Sequence, residues 1–216
     1  MAGIVVYTPT GPLIPVWFYS FSATAYFIAA LISFLVCYFA YKNYRISSSK
    51  SHLLLSLSFL ALGLAFSILT STSLYTYFYQ PYLKTEGSLV DFNTNGFNLY
   101  YLFSLAAYLA LVMMYLPKMK KQFSILFVPL WYINFASFHV TSLLLVGYVV
   151  LRAAMNFFKQ KNLNSLLVLF SFSSIEIFHL LLYLTGFDVT LYLAAHGLLA
   201  VGFASLLFVL IRVSRK

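Results

Sequence analysis

Glu176 and His179 stand three residues apart, His196 follows seventeen residues later, and His139 precedes His179 by forty. In so apolar a chain these four side chains are the ones whose types and spacing could do chemistry. A separation of three places Glu176 and His179 on one face of a helix, a stripe that Ser173 and Tyr183 continue. Glu-x-x-His on one helix with a histidine from another is a known way to hold a transition metal. Glu176, His179 and His196 are therefore a candidate metal set. Two histidines can instead ligate a haem iron, and haem b separates its two ligand-bearing helices widely. His139 with His196 suits that better than His179 with His196, whose helices follow each other in the chain. In a third reading Glu176 and a histidine form a hydrogen-bonded pair that holds helices together or lines a ligand pocket. The residues leave all three open.

The composition decides what surrounds them. The chain has 216 residues, 62% hydrophobic and only 8% charged, with a mean hydropathy of +0.92. A soluble domain carries roughly a quarter charged residues, too many more than this for water to be the solvent here. Bilayer is the solvent that fits, because in lipid apolar faces need no cover. The net charge of +9 would suit nucleic acid if the basic residues formed a patch. They sit instead in short clusters between long apolar runs, as in cytoplasmic loops, so nucleic acid is excluded as a partner. Cys37 is the single cysteine, which rules out an internal disulfide or a CxxC site. No H-E-x-x-H, G-x-S-x-G, P-loop or Rossmann glycine pattern occurs, so the chain reads as non-catalytic.

A helix needs roughly 20 residues to cross the hydrocarbon core. Apolar runs predict spans at 16–40, 52–79, 99–116, 163–184 and 189–211. The stretch 123–158 would be about 54 Å long as one helix, more than a bilayer needs. It also lies between two basic clusters, Lys118, Lys120 and Lys121 on one side and Lys159 and Lys161 on the other. If both clusters are cytoplasmic, the chain crosses twice between them, as 123–133 and 138–158 with a turn at 134–137. The expectation is thus an all-α polytopic bundle of seven spans, with six as the alternative. Residues 1–216 form one transmembrane domain, with 80–98 as a polar extracytoplasmic loop containing Gly87 and Gly96.

Orientation follows from charge. Twelve of the 13 Lys and Arg residues fall on one side in the seven-span layout, and only Lys84 on the other. By the positive-inside rule the N-terminus is outside and the C-terminus cytoplasmic, in the plasma membrane. No basic n-region precedes the first apolar run, so no cleavable signal is read, and 1–15 is a short outer lead. Trp17, Tyr19, Tyr75, Tyr77, Tyr79, Tyr82, Tyr100, Tyr101, Trp131 and Tyr132 map near the outer interface as an aromatic belt. His52 begins the second span as an interfacial or capping residue. At 1.5 Å per residue His179 lies about 8 Å, Glu176 about 12 Å and His196 about 10 Å below the outer ends of their spans. His139 is one residue inside its own. His196, Gly197, Ala200 and Ala204 share a face whose small residues suit close helix packing, which points His196 into the bundle.

The run Leu191-Tyr192-Leu193-Ala194-Ala195-His196-Gly197-Leu198-Leu199-Ala200-Val201-Gly202-Phe203 resembles the final span of seven-helix membrane sensor modules in prokaryotic signalling proteins. Ser51-His52-Leu53-Leu54-Leu55, opening the second span, is similar to theirs. The resemblance covers two of seven helices. With no kinase, cyclase or DNA-binding domain expected after Lys216, the resemblance implies signalling through a separate partner. The last span has no lysine before Lys216, so a retinal site of the rhodopsin kind is not implied.

Two functional classes follow. One is a non-catalytic subunit of a larger membrane assembly, such as a respiratory one, passing electrons through an outer-leaflet haem or metal site beside other membrane subunits. The other is a small-ligand or redox sensor acting through a cytoplasmic signalling partner. A purely structural subunit, suited by the 23 Phe and 18 Tyr, is the remaining alternative. All three share the lipid bilayer as a partner.

Overall fold

The computed structural model describes residues 7–8, 11–12, 16–79, 86–116, 134–185, 187–188 and 190–214. Ahead of the helices, β1 (Tyr7–Thr8) pairs antiparallel with β2 (Gly11–Pro12). Six helices follow: α1 (Val16–Ser47), α2 (Lys50–Tyr79), α3 (Glu86–Tyr115), α4 (Phe135–Gln160), α5 (Leu163–Leu184) and α6 (Thr190–Ser214). Each is long and apolar enough to cross a membrane. The chain is a multi-pass membrane protein whose apolar flanks meet lipid. Leu144, Leu151 and Phe158 on α4 are 58–73% exposed, an arrangement only hydrocarbon makes favourable.

The spans start and stop where the sequence supplies caps. Asn134 accepts the amide of Ser137, and the Ser137 hydroxyl accepts the amide of Asn134, a reciprocal box opening α4. The helix thus starts at Phe135, within the 134–137 stretch expected as a turn and three residues before the expected start at 138. Asn162 caps α5 more simply, its side chain accepting the amide of Ser165. The α1–α2 corner turns through Ser48 in the left-handed conformation, and the Ser47 hydroxyl lies 2.9 Å from Nδ1 of His52. At the α5–α6 turn Asp188 takes the Thr190 hydroxyl and amide, which together hold its carboxyl below the usual range.

The helices form a closed ring in chain order, with α6 packed on α1 and the sparsest seam between α3 and α4. Their directions are read from paired contacts. Cys37 meets Ser56 across α1 and α2, antiparallel to the Tyr26–Phe66 pair. Gly96 of α3 packs on Thr72 of α2, and Tyr100 on Phe66. Helices α4 and α5, and α5 and α6, are likewise antiparallel. By contrast α3 and α4 run the same way: Phe138 stacks on Tyr101 at 4.1 Å, and Arg152 donates to the Tyr115 carbonyl at 3.1 Å. α1 and α6 are also parallel, through Phe18–Tyr192 and Tyr26–His196. One end of the bundle therefore collects Lys42, Arg45, Lys50, Arg152, Lys159, Lys161 and Arg212, which are all the Lys and Arg among the described residues.

Three expectations change. The stretch expected as a loop at 80–98 is helical from Glu86 onward. Gly96 is not a breaker there: a β-carbon at that position would fall inside the Thr72 side chain, so the glycine permits two helices to touch. Tyr100 and Tyr101 are not part of an interfacial belt; both are 2% exposed. The packing face of α6 is not the one through Gly197 and Ala204. A β-carbon on Gly197 meets nothing within 4 Å, whereas one on Gly202 would lie 2.7 Å from Ser174. The stretch 123–133, with Trp131, lies outside the described residues, as do Tyr82 and Lys84.

Candidate functional site

At the end of the bundle opposite the basic residues, α3, α4 and α5 bring three polar side chains into one line. The Tyr108 hydroxyl lies 2.7 Å from Nε2 of His179, and Nδ1 of His179 lies 3.0 Å from Nδ1 of His139. All three residues are fully or almost fully buried. His139 is one turn into α4 and His179 one turn from the end of α5, so antiparallel packing sets them side by side. Tyr108 reaches them from two turns before the end of α3 because helical side chains lean toward the helix N-terminus. Phe135, Phe138 and Phe178 pack edge-on around the two imidazoles, at 4.4–5.5 Å between centroids.

His196 sits in a separate aromatic box. Its Nδ1 lies 2.6 Å from the Tyr192 carbonyl and its Nε2 2.6 Å from the Tyr26 hydroxyl. A carbonyl only accepts, so Nδ1 carries the proton and donates; Nε2 of the neutral ring then accepts from Tyr26. Phe178 packs against both His179 and His196. Glu176 faces elsewhere. It is half-buried on the α4 side of α5, with Oε1 2.9 Å from where a β-carbon on Gly147 would lie.

No protein-family model, curated protein or solved structure matches this chain.

The geometry thus joins His179 to His139, and places Glu176 and His196 in different contacts. Among the described residues no three His, Cys, Asp or Glu side chains gather as a metal site. Five of the six ring nitrogens of His139, His179 and His196 are already hydrogen-bonded within the protein. A haem or metal ligand needs a free imidazole nitrogen, and the engaged ones would have to give up buried partners. The residues present do not fit haem b bridging His139 and His196, nor a Glu176–His179–His196 metal.

Two functional positions were not singled out from sequence, Tyr108 and Tyr26. Each had a signal. Tyr100, Ser104 and Tyr108 recur every four residues in α3, and Ser22, Tyr26 and Ser33 follow a helical spacing in α1. Polar stripes in apolar helices point inward.

Proposed function

We propose that this chain is a seven-span plasma-membrane sensor. Its outer-half site, formed by α3, α4 and α5, responds to a small polar ligand, and its basic cytoplasmic end engages a separate partner. The observation that carries this is the buried Tyr108–His179–His139 chain. Ionisable side chains at that depth are costly to bury, and this makes them markers of a site. Electron transfer through haem or metal asks for imidazole nitrogens that are already taken, so the sensor reading is preferred to that of a respiratory subunit. The resemblance of Leu191–Phe203 and Ser51–Leu55 to sensor modules agrees with it.

Seven spans are supported by the parallel course of α3 and α4. Two consecutive parallel spans require the chain between residues 116 and 134 to return across the bundle. Seventeen residues cover about 26 Å as a helix, close to a bilayer core. The gathering of positive charge at one end supports a cytoplasmic C-terminus. Reporter fusions after Lys121, at Asn134 and after Lys161 are expected to read inside, outside, inside; an inside result at Asn134 would remove the seventh span.

The function is tested on the gently solubilised protein by its ultraviolet–visible spectrum, elemental analysis and thermal stability against small polar metabolites. The expectation is no Soret band, no stoichiometric metal, and a compound that raises Tm in the native protein but not in His139→Phe. A Soret band or bound metal lost in His196→Ala would overturn the sensor reading in favour of an electron-transfer subunit.

A further inference from the structure

Most buried serines of the spans satisfy their hydroxyls on a backbone carbonyl, and several do so within their own helix. Ser33, Ser58, Ser171 and Ser174 are buried, and each folds its hydroxyl back onto the carbonyl four residues earlier at 2.7–2.9 Å. This local bond is the usual way a serine is satisfied inside a membrane helix. Ser104 on α3 and Ser142 on α4 are completely buried and do not make it; Ser104 has only the Tyr100 hydroxyl one turn away to interact with, and Ser142 has no partner among the described residues. The buried hydroxyl of Tyr101 has none among them either.

All four surround the same seam. Tyr101 stacks on Phe138, and Tyr100 packs on it edge-on at 5.3 Å. The parallel register pairs residue 101 with 138 and 115 with 152, which sets Ser104 level with Ser142 to within about one residue rise, roughly 1.5 Å. Ser104 is one turn from Tyr108 on its helix, and Ser142 one turn from His139 on its own. Two orphaned hydroxyls, Tyr101 and Ser142, and the weakly satisfied Tyr100–Ser104 pair therefore flank the Tyr108–His179–His139 chain in the loosest seam of the ring. Each orphan left dry would be unfavourable by about 1–3 kcal/mol. Charged groups are not among them, so an ion would find no counter-charge there. A small uncharged hydrogen-bonding occupant matches, and buried water typically makes about three bonds to such groups.

We infer that the α3–α4 seam holds buried water that continues the Tyr108–His179–His139 chain into a proton relay. The protons of this chain have two consistent orders. In one, the Tyr108 hydroxyl donates to Nε2 of His179, Nδ1 of His179 donates to Nδ1 of His139, and His139 is protonated on Nε2. In the other, Nδ1 of His139 donates to Nδ1 of His179, Nε2 of His179 donates to the Tyr108 oxygen, and Tyr108 donates to seam water. Passing from the first to the second moves one proton along each bond. An excess proton carried by the seam water enters at the Tyr108 oxygen, leaving neutral water, and one proton leaves Nε2 of His139 to a second water as hydronium, so the chain itself keeps its charge. The relay goes beyond the sensor reading and stands whatever the chain signals.

Radiolytic hydroxyl-radical footprinting of the protein in nanodiscs tests the hydration, because it labels side chains beside bound water even where bulk solvent does not reach. Tyr100, Tyr101 and Phe138 are expected to label about fivefold or more faster than Phe59 and Phe172, which are comparably buried but have no orphaned hydroxyl beside them. In Ser104→Ala/Ser142→Ala that excess disappears. Equal, slow labelling of all five rings in the native protein overturns the proposal. So does a rise in Tm on Ser104→Ala or Ser142→Ala, the result expected if the hydroxyls were dry. Ring 15N resonances of His179 test the relay separately. They are expected at values averaged between two tautomers, and to collapse to one tautomer in Tyr108→Phe. A single tautomer in the native protein means the chain is only structural.

Discussion

His179→Phe is expected to lower the unfolding free energy of the detergent-solubilised protein by about 2–5 kcal/mol, the larger of the two hydrogen-bond effects in this bundle. Phenylalanine keeps the volume of the imidazole approximately, so the loss is not mainly a cavity. It comes from the two partners left behind. Tyr108 and His139 are each buried to 1% exposure, and His179 is the one residue bonded to both. Neither reaches bulk water through lipid, so His139 bears the full desolvation cost of an unmade bond and Tyr108 bears whatever part seam water does not offset. Tyr108→Phe removes one partner and leaves His179 bonded to His139, so it costs less, about 1–2 kcal/mol. A double-mutant cycle between Tyr108→Phe and His179→Phe, read by unfolding in SDS, is expected to return a coupling of about 0.6–1.7 kcal/mol, the range found for hydrogen bonds between membrane helices. A coupling near zero would mean that the Tyr108–His179 bond is not made in the membrane.

Gly202→Leu is expected to be at least as damaging, and for a different reason. A β-carbon on Gly202 would lie 2.7 Å from Cβ of Ser174 and 3.2 Å from the backbone oxygen of Ser171. Neither neighbour is the flexible tip of a long side chain, so α5 and α6 have to separate. Overpacking of this kind costs about 1–3 kcal/mol for a small excess and more for a large one. Gly202→Ala should fall within that range, and Gly202→Leu beyond it. Gly197→Ala is the control, since nothing lies within 4 Å of its β-carbon. There the gain in helix propensity, about 0.5–1 kcal/mol, is unopposed, and the protein should be unchanged or slightly more stable. The same thermal measurement ranks all three. If Gly202→Ala and Gly197→Ala behave alike, the α5–α6 contact is not as close as described.

The contrast between those glycines shows where sequence reasoning reaches its limit. Apolar runs locate the helices well: 163–184 is read to the residue, and α4, expected from 138, starts three residues earlier behind its Asn134 cap. Rotation about each helix axis is harder. In a soluble helix the polar face reports it, but here both the lipid side and the core side are apolar. Gly197 and Gly202 look equally suited to a helix contact until the partner helix is placed. Tyr100 and Tyr101 suit an interfacial belt by depth, and only the approach of Phe138 shows that they face inward. The histidines fare better, because an ionisable group in hydrocarbon points inward wherever it stands. All three of the deep ones are buried to 0–1% exposure. Which of them meet is not legible, since His139 and His179 are joined by a contact forty residues apart.

The ring of helices closes between its first and last members, and the Tyr26–His196 bond spans 170 residues of chain. A ribosome makes α1 long before α6 exists. Until the final helix leaves the tunnel, the groove of α1 that carries Tyr26 and Ser22 lies open to lipid, with the Tyr26 hydroxyl lacking its histidine. The protein thus passes through its whole synthesis as an incomplete bundle with a polar edge. That edge is a natural mark by which membrane quality control could tell an unfinished or truncated chain from a finished one, and the arrival of His196 erases it.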